Sequence, residues 1–96
     1  MKGQRFASVW DAIADTPQQA ASLRARSELA MALQEWMKAE ALTQSAAAAL
    51  LGVTQPRVSD LVRGRLELFS LDMLMDMATT AGLSPRVTVE HRAVAA

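Results

Sequence analysis

Apolar positions recur through most of this chain at the three-to-four-residue spacing of helices, and the interruptions between runs are short. Leu29, Leu33, Trp36 and Met37 form an i, i+4, i+7, i+8 stripe, the mark of a helix with one buried face. Arg24, Arg26, Glu28, Gln34, Glu35 and Lys38 fall mainly on its other side. Thr16-Pro17-Gln18-Gln19 opens this helix: Thr16 caps, Pro17 suits the first turn, and Gln19 can reach back to the cap. It should run to about Glu40, since no Gly or Pro interrupts it. Two short helices follow. Thr43 caps Gln44 to Leu51, which Gly52 ends in a left-handed conformation, and Thr54 caps Gln55 to Arg63, which Gly64 ends. Ser70 caps a last helix that runs to Ala81, with Asp72 favourably placed in its first turn and Gly82 as its stop. Phe69 and Leu74 have the spacing of a hydrophobic staple there. Upstream, Ser8-Val-Trp-Asp11 has capping-box spacing and predicts a brief helix over 9–14. After Ser84-Pro85, the run Arg86 to His91 alternates polar and apolar, the period of a strand. The pattern predicts an all-α chain of five helices with a short C-terminal β-strand. Its parts are an N-terminal arm with the short helix over 1–15, a helical domain over 16–83, and a C-terminal strand and tail over 84–96.

Composition narrows the function classes. With 96 residues the chain holds one modest core, and 51% hydrophobic against 21% charged residues is a globular balance. Cysteine is absent, which excludes disulfides, thiolate zinc sites and cysteine nucleophiles. His91 is the single histidine and has no second ligand candidate, so neither a metal nor a cofactor is expected. No nucleophile–base pair or phosphate-cradling Gly loop is visible, and no enzyme is expected. The longest apolar run, Ala46 to Leu51, is far shorter than the ~20 residues of a membrane span. With no apolar run after Lys2 and Arg5, the expected location is cytoplasmic. Net charge is zero, from ten basic and ten acidic side chains, which argues against a non-specific nucleic-acid coat. The charge is uneven, though. Residues 42–66 carry Arg57, Arg63 and Arg65 against Asp60 alone, whereas 67–96 carry a net −2.

The basic window coincides with the two short helices. Two helices joined by a tight turn cross steeply and closely, so their contact positions must be small. Ala48 suits that contact, Gly52 suits a turn that would strain any side chain, and Leu51, Val53, Val58 and Leu61 lock the pair to the core. Gln44, Ala48, Gly52, Val53, Val58 and Leu61 together fill the register of a helix-turn-helix over 43–64. With Val58, Leu61 and Val62 inward or to the side, the second helix presents Thr54, Gln55, Arg57, Ser59, Asp60 and Arg63 outward. Such helices meet base edges with their N-terminal residues. Gln55 can bond an adenine bidentately and Arg57 can reach a guanine or a phosphate. Thr43 and Gln44 open the first helix, where an amide and free backbone N–H groups can grip a phosphate. Arg63 and Arg65 suit the DNA backbone, and Ser59 is a further candidate contact. Asp60 would be repelled by a phosphate, so it must read a cytosine amine, face away, or offset a neighbouring arginine.

Leu42-Thr-Gln44, Ala48, Leu51-Gly-Val53, Thr54-Gln-Pro-Arg-Val-Ser59, Gly64 and Phe69-Ser-Leu-Asp72, with Ser8-Val-Trp10 upstream, resemble the Cro/lambda-repressor-like (XRE) family. Within that family they are most similar to HigA-type antitoxins, over about residues 8–90. The resemblance implies a lambda-repressor-like domain in which Gln44 braces Gln55 on the DNA. It also implies a sequence-specific repressor that neutralises a small RelE/HigB-like toxin and represses its own operon. Phe6 to Arg26 is the candidate toxin surface, because a helix-turn-helix does not need it to fold. Two other readings remain beside this one: a phage-type or stand-alone XRE repressor without a toxin, and a protein-interaction module that no longer binds DNA.

The methionines and the C-terminal valines add a partner. On the last helix Leu71, Leu74, Met75 and Ala78 form one face, leaving Met73 and Met77 on another. A lone strand also exposes an edge. Met73, Met77, Val87 and Val89 are therefore the expected surface of a homodimer reading a near-palindromic operator in double-stranded DNA.

Overall fold

The computed structural model describes residues 15–91. Within them the chain forms α1 (Pro17–Ala39), α2 (Gln44–Leu51), α3 (Gln55–Val62), a 3-10 turn (Leu66–Leu68) and α4 (Leu71–Thr80). The helix expected over 9–14, and the N-terminal part of the toxin surface, lie outside the described residues.

Each helix begins on the hydroxyl that the sequence offers. The Oγ of Thr16, Thr43, Thr54 and Ser70 accepts from the backbone N–H of Gln19, Ala46, Arg57 and Met73, respectively. Such a cap satisfies one of the amides a helix leaves open and contributes about 1 kcal/mol. Gln19 Oε1 also accepts from the Asp15 amide at 2.8 Å, one residue before the cap. The C-termini use left-handed residues: Gly52, Gly64 and Gly82 have φ of 70°, 73° and 89°. The end of α1 does so without glycine. Ala41 sits at φ 53°, and the Leu42 N–H donates to Met37 O at 2.9 Å, closing the helix with the bond a glycine would normally allow.

Helix α1 is the spine. Ala30 and Leu33 enter a core with Leu51, Leu61, Leu66, Phe69, Leu74, Met77 and Ala78. Met37, further along, joins Ala47, Ala48 and Val58 in a second cluster. Trp36 is half-buried and packs against both. The expected Leu29–Met37 stripe is thus the face that carries α3 and α4, and the staple residues Phe69 and Leu74 meet in the first cluster.

Two expectations are corrected. No strand forms among the described residues: from Leu83 to His91 the backbone has no regular structure. Alternation of side chains supplies no hydrogen-bond partner, and no second strand lies within the described chain to supply one. Met77 is 4% exposed and belongs to the core of its own chain, so it is no dimer surface. The buried stripe of α4 is Leu74, Met77 and Ala78, with Met73 half-buried against the same cluster. That stripe is rotated from the one read in the sequence, because α4 packs both on α1 and against α2. Val87 and Val89 remain 71% and 86% exposed.

Candidate nucleic-acid interface

The α2–turn–α3 unit is held by small residues and by one left-handed glycine. Ala47 and Val58 are fully buried and meet Ala48, so the two helices approach to near-backbone contact. Gly52 (φ 70°, ψ 30°) donates its N–H to Ala48 O, and the Val53 N–H reaches the same oxygen at 3.1 Å. A Cβ at Gly52 would meet nothing within 4 Å. The demand for glycine here comes from backbone conformation rather than from space.

With Val58 and Leu61 both fully buried, the rotation of α3 is fixed. Thr54, Gln55, Pro56, Val62 and Arg63 are exposed, and Ser59 and Asp60 are half-buried beside them. Pro56 lies in the first turn, where its missing N–H costs no helical bond. Gln55 makes no hydrogen bond within the described chain, so its amide is available at the tip of the helix. At the start of α2, Thr43 and Ser45 are exposed. Gln44 is half-buried and lines a groove of about 440 Å³ with Gln34, Met37, Lys38, Leu42 and Val62. Gln44 and Gln55 are not hydrogen-bonded to each other in the unbound chain.

Arg57 departs from its expected outward pose. Its Nη1 donates to Leu68 O at 2.9 Å, and its guanidinium lies 5.4 Å from the centroid of the Phe69 ring. Arg57 occupies the flank of α3 that faces the 3-10 turn, so a carbonyl and an aromatic face capture the cation before solvent does.

A helix-turn-helix domain family model matches the chain over residues 12–90. A solved structure named "Putative XRE Family Transcriptional Regulator" superposes with a TM-score of 0.69 at 31% identity, covering 78% of this chain and 84% of that one. The chain belongs to the XRE-type helix-turn-helix family. No curated protein matches it.

In this XRE-type domain the remaining basic residues differ in freedom. Arg63 closes α3 and is exposed. Arg65 Nε donates to Glu67 Oε2 at 2.8 Å. That hydrogen bond, and the charge of Glu67, hold the arginine above its ordinary pKa, and Asp60 adds a weaker attraction in the same direction. The same hydrogen bond holds the Glu67 carboxyl below the usual carboxylate range.

Two polar residues of α1, read in the sequence as solvent-facing, brace the interface from behind. Gln34 Nε2 donates to Leu61 O at 2.9 Å, at the C-terminal end of α3. Arg26 Nη1 donates to Leu66 O at 2.9 Å and to Phe69 O at 3.2 Å, fixing the 3-10 turn on which Arg57 rests. Their partners are carbonyls more than twenty residues away, so no local spacing could have revealed them.

Proposed function

We propose that this XRE-type protein is a sequence-specific DNA-binding transcriptional repressor that lays the N-terminal end of α3 in the major groove. The observation that carries the reading is the exposed Thr54–Gln55–Pro56 tip, standing on a helix whose opposite face, Val58 and Leu61, is fully buried. That arrangement is rigid and leaves the base-reading end free, as groove insertion requires. Gln55 is the principal base contact, with Thr54 beside it and Ser59 further along the same helix. Thr43 and Gln44 bind the phosphate that precedes it, and Arg63 and Arg65 contact the backbone downstream. Arg57 steers the helix from the flank, and contributes a DNA contact if its hold on Leu68 is exchanged for a phosphate.

The reading is tested by titrating fluorescent duplexes from the promoter of its own gene across a range of salt concentrations. Affinity should fall with a slope of about −0.9 per phosphate contacted in log–log form. Salt-independent binding, or no binding to any duplex, would leave the interaction-module reading in its place.

The finer reading is an antitoxin that neutralises a RelE/HigB-like toxin and autoregulates their operon as a homodimer on a near-palindromic operator. Its support is the motif resemblance across residues 8–90. Two copies would set their α3 helices in successive major grooves about 34 Å apart. Co-expression with the product of the neighbouring gene checks it: a co-purifying complex is expected, and its absence would remove the antitoxin reading. Removal of residues 1–15 should abolish capture if the toxin surface is N-terminal.

A further inference from the structure

The segment after α4 leaves its backbone open. The last backbone hydrogen bond among the described residues is Leu83 N–H to Ala78 O, and Val87 and Val89 are 71% and 86% exposed. Two bare valines at alternate positions, on a segment with no regular structure of its own, are the pattern of a strand that lacks a partner. The sequence specifies which partner fits. When Arg86-Val87-Thr88-Val89-Glu90 is laid antiparallel on a second copy about Thr88, each Arg86 faces a Glu90 and each Val87 faces a Val89. Arg86, Thr88 and Glu90 then share one face, and four valines share the other. Opposite charges and β-branched pairs directly across a ladder are the favourable cross-strand combinations. A one-residue slip would place valines against charged residues and turn them to the wrong face. A two-stranded ribbon is marginal alone and needs a helical layer beneath it. The segment already borders one: a groove of about 350 Å³ lies between α1, α4 and residues 85–88, lined by Leu29, Leu71, Met75 and Val87 and, at its polar side, by Glu28, Arg86 and Thr88.

We propose that residues 86–90 pair antiparallel with the same residues of a second copy, in the register that opposes Arg86 to Glu90, and that this ribbon joins the two chains. The proposal names the partner in the dimeric DNA reading above and deepens that reading. A charge exchange tests it on the full chain, at a position too exposed to disturb folding. Sedimentation equilibrium in low salt should show a dimer for the unaltered chain. R86E alone, and E90R alone, set like charges opposite each other twice in the ribbon and should weaken dimerisation about tenfold or more. The double variant R86E/E90R restores both pairs and should recover the original dimer constant. Single variants as dimeric as the parent, a double variant that stays weak, or a parent that is monomeric would each overturn the register. Circular dichroism confirms that all variants keep their helices. DNA binding is read separately through Gln55→Ala: a chain that follows the charge-exchange pattern yet binds no duplex sinks the DNA reading and leaves the pairing intact.

Discussion

From Thr43 to Gly64 the chain completes its interactions within itself; from Leu83 to His91 it completes hardly any. In the first region two threonines cap two helices, Ala47, Val58 and Leu61 are fully buried, and Gln34 satisfies a carbonyl at the far end. In the second, the backbone has no regular structure, two valines are bare and no ladder forms among the described residues. The contrast separates what a single chain can decide from what it leaves to another molecule. A helix carries its hydrogen-bond partners four residues away, whereas a strand must find them on a different segment. The closed region therefore presents a stiff surface toward a ligand, and the open region is an incomplete half of something.

Six substitutions can break or sharpen this contrast. Leu61→Ala should have the largest effect, lowering unfolding free energy by about 2–5 kcal/mol in urea denaturation, since it opens a cavity where α3 meets the core. Gly52→Val should cost about 1–3 kcal/mol in the same assay. Because a Cβ there meets open space, its cost comes from backbone strain and not from a clash. Gly52→Ala should then cost less than Gly52→Val, because β-branching adds to the strain of a positive φ. Arg57→Ala should lower stability by about 1 kcal/mol through loss of the Leu68 carbonyl and the Phe69 ring. Gln55→Ala, beside it, should leave the melting temperature unchanged. Val89→Ser should be smallest, within about 0.5 kcal/mol at concentrations where the chain is monomeric.

Much of the closed region was legible in the sequence because local and packing signals agree there. Thr43, Gly52, Thr54 and Gly64 mark the boundaries by backbone chemistry, and Ala48, Val58 and Leu61 repeat on the faces those boundaries imply. What escaped was non-local. Arg26 and Gln34 look like surface residues because their carbonyl partners come from the far side of the fold. Arg57 sits at a position the pattern exposes, and only the placement of Phe69 and Leu68 shows that it turns back. Ala41 ends α1 in a left-handed conformation that its side chain disfavours, so no glycine announced it. On α4, six apolar residues in ten leave the buried direction ambiguous in the sequence, and Met77, expected on a partner-facing side, lies in the core of its own chain. Over Arg86–His91 the alternation predicts a strand that does not form among the described residues, because a period specifies only which side chains share a face. The missing partner decides whether a strand exists.

The central claim is that the tip of α3 enters a DNA groove, and amide chemical shifts of the ¹⁵N-labelled protein test it most directly. Titrated with its operator duplex at moderate salt, the amides of Gln44, Ser45 and Thr54 to Ser59 should move most, and those around Glu28 and Asp76 should stay in place. Shifts confined to the N-terminal arm or to α4, with Thr54 and Gln55 unmoved at saturation, would contradict the account.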